Sequence, residues 1–265
     1  MTPSATELTP HISFSGVRMA FDTREVFASL SCEFPRGRVS VILGGSGSGK
    51  STILRLIGGL IRPQAGSIEV AGVDLTCLSE RGMYDVRKRI GMLFQGGALL
   101  DSLTVFDNIA FPLREHTTWS EGKIAKTVHE RLDDVGLSDV DHLLPPQLSG
   151  GMLRRAALAR AIIMNPEILL CDEPFSGLDP ISVKRVESLL SGINQRLGIT
   201  LIVVSHHIAS TLRMADHVLL LVEGRVVAGT PRALRDDSDP QVADFFRVDL
   251  AAPGDTRAIE PRRTS

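Results

Sequence analysis

A glycine-rich loop lies between a continuous apolar run and a helical pattern, and it constrains the fold more than any other stretch of this sequence. The run is "VSVIL", the loop is "GGSGSGKS" at residues 44–51, and "TILRLIGGL" follows with helical periodicity. A buried strand that enters such a loop and leaves it as a helix is typical of a phosphate-binding loop in an α/β protein. A flexible linker, the alternative, does not normally separate a buried strand from an amphipathic helix.

The residues of this loop predict how a nucleotide would be held. Its glycines let backbone N–H groups turn towards phosphates with no Cβ in the way, and the helix that follows adds the positive end of its dipole. Lys50 is expected at the β- and γ-phosphates and the Ser51 hydroxyl at Mg²⁺, so ATP and Mg²⁺ are the predicted ligands. The predicted phosphate-binding residues are Gly44, Gly45, Ser46, Gly47, Ser48, Gly49, Lys50, Ser51 and Thr52.

Two carboxylates end a second apolar run, "ILLCDE" at residues 168–173. Because ligands of open α/β sheets bind at the carboxyl ends of the strands, Asp172 and Glu173 are expected beside the phosphate loop. Asp172 is predicted to hold Mg²⁺, and Glu173 to orient the attacking water as the general base. An acidic pair at a strand end is also a common signal for a helix N-terminus, so this prediction depends on the loop upstream.

Three further positions are candidates for the same site. Gln95 follows "IGMLF" and His206 follows "LIVVS", so a parallel sheet would bring both to the edge that carries the phosphate loop. Gln95 is predicted to contact Mg²⁺ or the attacking water, and a neutral His206 to donate to the γ-phosphate; a solvated strand end is the alternative for each. His206 is preferred to His207 because it follows the apolar run more directly. Phe21 is either an exposed ring that stacks on the nucleobase or a core residue.

The pattern along the chain predicts one α/β domain with a helical insertion. Residues 97–165 have mostly helical periodicity, and strands alternate with helices on both sides of them, which favours a largely parallel sheet. The break "DTRE" separates two strand patterns before the phosphate loop, and "HVLLLVEGRVVAGT" predicts a hairpin. We expect the domain to cover 11–247 and residues 248–265, with their Pro, Gly and charge, to form a flexible tail.

Charge and cysteine content exclude several kinds of protein. Lys and Arg total 29 against 31 Asp and Glu, so the net charge of -2 gives no basic field to hold nucleic acid. The three cysteines are widely spaced and odd in number, which favours a reducing compartment over a disulfide framework or a zinc site. No apolar run reaches the roughly 18 residues of a membrane-spanning helix, and the N-terminus lacks a secretion signal. We expect a chain that neither crosses a membrane nor is exported by itself.

A second glycine pair, in "LSGGM" at residues 148–152, also opens a helical pattern, although the chain already has one phosphate loop. Together with that loop, Gln95, "ILLCDEP", "SGLD" and "VSH", in this order, it resembles the nucleotide-binding subunits of ABC transporters. The resemblance implies a P-loop fold with a mainly parallel core, an antiparallel β subdomain and a helical subdomain. It also implies a head-to-tail dimer in which Ser149, Gly150 and Gly151 contact the γ-phosphate of the partner's ATP. Asp179 would carry signals between the two sites.

Two longer segments carry a narrower likeness. "MLFQGGALLDSLTVFDNIAFPLREHT" and "SGGMLRRAALARAI" are similar to the ATPases of the Mla phospholipid-transport branch, and Met152 stands where most ABC ATPases have Gln. This resemblance implies phospholipid trafficking that maintains outer-membrane lipid asymmetry, and a peripheral location on the cytoplasmic face of the inner membrane. The implied partners are an integral MlaE-like permease, a MlaD-like substrate-binding protein and a small STAS-domain protein.

Some residues leave other functions open. Phe21, Leu178 and His207 depart from the pattern of the Mla branch, so an ABC importer or exporter of another substrate is an alternative. A non-transport ABC ATPase is disfavoured, because coiled-coil arms, a zinc module or a second nucleotide domain do not fit within 265 residues. The segment after Gln95, up to Arg114 and Glu115, is where the resemblance implies contact with a permease.

Overall fold

The structure is a computed structural model, and it describes residues 9–222 and 224–247. Within these ranges we number the strands and helices in chain order. The strands are β1 (Pro10–Phe21), β2 (Arg24–Pro35), β3 (Val39–Gly44), β4 (Ala65–Val70), β5 (Val73–Asp74), β6 (Ile90–Leu93), β7 (Ile168–Asp172), β8 (Thr200–Val204), β9 (His217–Val222) and β10 (Arg225–Gly229). The helices are α1 (Lys50–Ile57), α2 (Glu80–Arg87), α3 (Val105–His116), α4 (Glu121–Asp134), α5 (Gly150–Ile162), α6 (Pro180–Leu197), α7 (Ile208–Met214), α8 (Pro231–Arg235) and α9 (Pro240–Arg247).

The central sheet has the strand order β10-β9-β3-β8-β7-β6. Its strands are parallel except β10, which forms an antiparallel hairpin with β9, as the sequence predicted. All six residues of β3 are buried, because both faces of this sheet are covered, and this explains the continuous apolar run. The carboxyl ends of β3, β6, β7 and β8 therefore meet at one edge, where the phosphate loop and the predicted acids follow them.

A smaller antiparallel sheet has the order β2-β1-β4-β5. The polar segment "DTRE" is a shorter break than the sequence suggested, since Arg24 already pairs with Phe21 and only Asp22 and Thr23 form the turn. Asp22 has a φ of 50°, a left-handed conformation that Asp tolerates in tight turns. The turn places the end of β1 beside the phosphate loop.

Two apolar cores lie on the two faces of the central sheet. On one face, the central sheet packs against α1 and the antiparallel sheet. On the opposite face, it packs against helices of the region 105–163 and against α6. Both cores are built mainly from Ile, Leu and Val, each of which contributes about 1.5–3 kcal/mol when fully buried. The site edge is therefore fixed by packing from both sides.

Three helices, α3, α4 and α5, pack against one another within the predicted helical insertion. The Thr104 side chain caps α3 by accepting a hydrogen bond from the Asp107 N–H at 3.1 Å. Buried Asn108 donates to the main-chain carbonyls of Leu100 and Leu103 and thereby fixes the segment that follows Gln95. No helix in the described part of the chain is both long and apolar enough to cross a membrane. The predicted tail at 248–265 lies outside the described residues.

Candidate nucleotide-binding site

A cleft of about 520 Å³ opens at the carboxyl edge of the central sheet. It gathers residues that lie far apart in the sequence, because β3, β6, β7 and β8 all end there. The residues that line it are Phe21, Arg24, Val26, Ser46, Gly47, Gly49, Lys50, Ser51, Thr52, Gln95, Glu173 and His206. The structure thus brings together the phosphate loop and all three predicted catalytic side chains.

The phosphate loop has no room for a larger side chain at Gly49, and its main-chain N–H groups are placed to bind an anion. Gly49 has a φ of 98°, and a Cβ at this position would lie 2.5 Å from the ring of Phe27, so only glycine fits. Gly49 also precedes α1 without giving it a side-chain cap, which leaves the first N–H groups of the helix free for a ligand. The Ser48 hydroxyl is buried and makes no hydrogen bond to any described residue. These features fit the phosphates of a nucleotide.

The phosphate-loop lysine is folded back onto its own loop. Lys50 Nζ donates to the carbonyl oxygens of Gly44 and Gly45, each at 2.8 Å. Burial lowers the pKa of Lys50, and the nearby carboxylates of Glu173 and Asp172 partly oppose this effect. The ammonium group therefore has two acceptors that it can exchange for phosphate oxygens.

A hydroxyl that lines the cleft and a carboxylate behind it, which does not line the cleft, form a pair that suits a divalent cation. Ser51 Oγ donates to Asp172 Oδ1 at 3.0 Å. The pKa of Asp172 is raised, first by burial and then by the charge of Glu173, whereas its hydrogen bond from Ser51 lowers it. A hydroxyl and one carboxylate beside a phosphate loop fit Mg²⁺, which takes few carboxylates from the protein and adds phosphate oxygens.

The predicted general base sits at a strained backbone position. Glu173 has a φ of 48°, and its N–H donates to the carbonyl of Val204 at 2.9 Å, which fixes the residue at the end of β7. Its side chain is only 15% exposed, and Oε2 lies 2.8 Å from His206 Nδ1 while making no aligned hydrogen bond to a described residue. His207 instead packs its ring against Phe175, so the geometry favours His206 over His207.

The first hairpin adds an aromatic and a basic side chain to the cleft. Phe21 ends β1 and is 42% exposed, so the core alternative does not hold. Arg24 lies across the turn and donates to the carbonyl of Gly47 in the phosphate loop at 3.1 Å. We did not predict Arg24 from the sequence; the signal was its place three residues after Phe21 across a tight turn. Its neighbour Val26 also lines the cleft.

The second glycine pair lies elsewhere. Ser149 caps α5 by accepting from the Met152 N–H at 3.3 Å, and Ser149 and Gly151 line a separate cavity of about 60 Å³. Asp179 caps α6, where its carboxylate accepts from the N–H groups of Ile181 and Ser182. The Ser182 hydroxyl also donates to this carboxylate, and this bond, followed by those from the N–H groups, lowers the pKa of Asp179. Neither glycine of the pair, nor Asp179, lines the nucleotide cleft of its own chain.

A phosphate loop, a hydroxyl–carboxylate pair and a glutamate at the strand ends of a parallel sheet define a P-loop nucleoside triphosphatase. More narrowly, the chain belongs to the ABC transporter family, whose profile matches residues 27–176. It is therefore an ABC-type ATPase that binds ATP, and the family resemblance expected from the sequence is confirmed.

Several curated relatives extend over most of the chain. The intermembrane phospholipid transport system ATP-binding protein MlaF of Escherichia coli is 46% identical over 224 residues, which are 84% of this chain and 83% of that protein. The probable ribonucleotide transport ATP-binding protein of Mycobacterium leprae is 39% identical over 235 residues, 89% of this chain and 68% of that protein. The chain is thus similar to phospholipid-transport ATPases, as the two longer segments of its sequence predicted.

Solved structures confirm the fold. A bacterial ABC transporter cassette, solved as a dimer, has a TM-score of 0.77 and 30% identity, and the match covers 83% of this chain and 99% of that one. A cassette dimer in a post-hydrolysis state with bound ADP and Pi has a TM-score of 0.76 and 29% identity, with the same coverage. The predicted α/β fold of an ABC ATPase is therefore confirmed.

Proposed function

We propose that this chain is the ATP-hydrolysing subunit of a transporter that moves phospholipid between the inner and outer membranes and so maintains outer-membrane lipid asymmetry. The observation that carries the proposal is the 46% identity to the Escherichia coli protein, because 224 aligned residues extend far beyond the nucleotide-binding motifs. The relative named for ribonucleotide transport is less similar, at 39%. The alternative is that the chain energises the transport of another substrate.

Two groups of residues at the cleft would bind the phosphates and the metal separately. Lys50 and the free N–H groups of the phosphate loop would bind the β- and γ-phosphates. Ser51, Asp172 and Gln95 would hold Mg²⁺. When bound, Mg²⁺ supplies positive charge that neutralises the phosphate oxygens. The raised pKa of Asp172 supports this role, since a carboxylate buried beside Glu173 is stabilised by an added cation.

Glu173 and His206 would act on the attacking water and the γ-phosphate. A carboxylate oxygen that is buried and accepts no aligned hydrogen bond is available to accept the proton of a water molecule, and Glu173 Oε2 meets this description. His206 lies 2.8 Å from that oxygen and is 61% exposed, so its ring can reorient towards the phosphate. The fixed backbone of Glu173 keeps the base in place during this change.

A second copy of the chain would complete each site. Ser149, Gly150 and Gly151, which we call the signature loop, lie at the N-terminal end of α5 and outside the cleft of their own chain, which suits contact with a nucleotide on another subunit. The cassettes of similar structure are dimers. We therefore propose a head-to-tail pair with ATP between the phosphate loop of one subunit and the signature loop of the other, and with Asp179 near the point where the two sites meet.

An apolar groove next to Gln95 fits a membrane permease. A second cleft of about 540 Å³ is lined by Phe94, Leu100 and Phe111, which all point exposed rings or methyl groups into solvent; Phe111 is 47% exposed. A groove of this kind accepts the apolar face of a short helix. Across it, the Tyr84 hydroxyl and His116 Nδ1 lie 2.7 Å apart and join α2 to α3.

The charged residues expected near this contact have different surroundings. Arg114 is bound to Asp107 and Glu121 within the helical region, so it is held by its own subunit rather than free for a partner. Glu115 is exposed. Phe111 is therefore the sharper probe of the groove.

The full assembly would contain an integral MlaE-like permease in this groove, a MlaD-like substrate-binding protein and a STAS-domain protein. The subunit would lie on the cytoplasmic face of the inner membrane, held there by the permease. No nucleic acid is expected as a partner, given the net charge of -2.

Affinity purification from native membranes tests this proposal. We expect the chain to recover a permease, a STAS-domain protein and bound phospholipid. Phe111→Asp should lose the permease, because a charge in the apolar groove is costly to desolvate, whereas Leu197→Asp, an exposed apolar residue at the end of α6, should not. A different permease without phospholipid would refute the lipid assignment and keep the ATPase, and full recovery by Phe111→Asp would refute the groove.

A further inference from the structure

Gln95 lies in a tight turn whose main-chain carbonyls are held from both sides by one helix. The Gly97 N–H donates to the Phe94 carbonyl at 2.9 Å and closes the turn. On α5, Arg154 Nη1 donates to that same Phe94 carbonyl at 3.3 Å, and Arg160 Nη2 donates to the Gly97 carbonyl at 3.1 Å. Both ends of the turn that presents Gln95 are thus attached to α5.

Arg154 also reaches the segment that carries the general base. Its second nitrogen, Nη2, donates to the Ser176 carbonyl at 3.3 Å. Ser176 lies between Glu173 and Asp179, and its N–H donates back to the Glu173 carbonyl at 3.2 Å. One guanidinium group therefore links the turn of Gln95 to the turn that starts at Glu173.

The surroundings of Arg154 are unusual for a structural arginine. Its side chain is 7% exposed, and within the described ranges it forms hydrogen bonds to carbonyl oxygens and no ion pair with a carboxylate. Burial lowers its pKa. A buried, unpaired charge is costly, and an apolar side chain of similar size would fill the same space at lower cost. What an apolar residue could not do is donate in two directions to two loops at once.

We propose that Arg154 is a positioning residue for ATP hydrolysis. It holds the turns of Gln95 and Glu173 at fixed positions relative to α5 and to the signature loop at the start of that helix. The inference rests on the roles of Gln95 and Glu173 given above. Ser149 and Arg154 are separated along α5 by about 7.5 Å, at 1.5 Å per residue. Because they share this helix, any displacement of the signature loop on docking against the partner's ATP is carried to both turns.

The test uses the full chain with Arg154→Met, for which kcat, the Kd for ATP and thermal stability are measured. We expect kcat to fall about 10- to 100-fold, because small misplacements of catalytic groups have effects of this order. The Kd for ATP should change less than about threefold, since Arg154 does not line the nucleotide cleft. Arg154→Lys should give an intermediate kcat, since it keeps the charge but not the planar fork.

Arg131→Met is the matched control. Arg131 is also largely buried, but it binds Asp134 and Asn165 within the helical region and neither catalytic turn. We expect it to lower thermal stability while kcat per folded molecule stays within about twofold. A kcat loss in Arg154→Met of the same size as in this control would assign Arg154 a structural role and overturn the proposal.

A double mutant separates action through Gln95 from general damage. If Arg154 acts through Gln95, Gln95→Ala combined with Arg154→Met should lower kcat by clearly less than the product of the two single effects. A kcat loss in the double mutant equal to the product of the two single losses would overturn the inference. Gln95→Ala at the wild-type rate would refute the proposed role of Gln95, whereas Arg154→Met at the wild-type rate beside an impaired Gln95→Ala would refute this inference alone.

Discussion

Replacing Glu173 by Gln is the most direct test of the catalytic site. The change exchanges one carboxylate oxygen for an amide of nearly the same shape, so the contact near His206 and the backbone at φ 48° should persist. Loss of a general base costs about 10²- to 10⁴-fold in rate. This equals about 2.7–5.4 kcal/mol in the activation free energy, at about 1.36 kcal/mol for each factor of ten.

The structure predicts that ATP binding survives this change. The charge of Glu173 raises the pKa of Asp172, so the Gln variant should leave Asp172 more readily ionised and at least as able to hold Mg²⁺. Binding without hydrolysis should trap the closed dimer. We therefore expect ATP-dependent dimerisation, measured by light scattering after size exclusion, together with the loss of phosphate release.

Glu130→Gln, an exposed change on α4, is the control and should keep the wild-type rate. Turnover of Glu173→Gln within about threefold of wild type would show that another group accepts the proton, and it would remove Glu173 from the role of base. A variant that neither hydrolyses nor binds ATP would contradict the charge argument for Asp172.

Three further changes test the loop, the packing and two histidines, of which His11 is buried and His217 is partly buried. Lys50→Ala should weaken ATP binding about tenfold or more in a fluorescent-nucleotide titration, because charge-assisted bonds to phosphate are lost. Gly91→Ala should lower the free energy of unfolding by about 1–3 kcal/mol in denaturant titrations, since its Cβ would lie 2.2 Å from the Ala161 carbonyl oxygen. Burial lowers the pKa of His11 and His217 below the usual value near 6.5, so the unfolded chain binds protons that the folded chain does not. Stability should therefore fall as pH drops below 6.5 towards the folded-state pKa, and these groups should not affect it above that range.

Exposed counterparts serve as controls for these three changes. Lys126→Ala on α4 should bind ATP normally, and Gly122→Ala, where a Cβ would meet nothing within 4 Å, should stabilise slightly by raising helix propensity. His142→Gln should leave the pH dependence intact, because this side chain is exposed. The role of Lys50 would be refuted by unchanged ATP affinity in Lys50→Ala, and the packing argument by a Gly91→Ala variant as stable as the wild type. The histidine argument would be refuted by a stability that stays flat between pH 7 and about pH 5.

The strand ends explain why much of the site could be predicted from the sequence. In a parallel sheet the residues after successive apolar runs meet at one edge, so Gln95, Asp172 and His206 could be placed beside Lys50 by counting strands alone. The choice of His206 over His207 followed from the same rule, and in the structure His206 lines the cleft beside Glu173 whereas His207 packs against Phe175.

The arginine contacts could not be predicted in this way. Arg154 and Phe94 are 60 positions apart in the chain, and their bond depends on how α5 packs across the end of β6. In the sequence, Arg154 is one of several arginines in an apolar helical pattern, and neither its burial nor its lack of a carboxylate partner among the described residues has a local signal. The left-handed backbone of Glu173 is equally hidden, since nothing in "DEPFSG" requires it.

The bonds from Lys50 to the Gly44 and Gly45 carbonyls have a consequence for the speed of the whole cycle. If Lys50 binds phosphate as proposed, its ammonium group would give up two protein acceptors when a nucleotide binds and would regain them when the product leaves. Because two protein acceptors are given up for each nucleotide bound, the net gain from Lys50 is smaller than its bonds to phosphate alone would give, and release costs correspondingly less. A subunit that has to release its product in every cycle benefits from this exchange, because the departing nucleotide does not leave the ammonium group without acceptors.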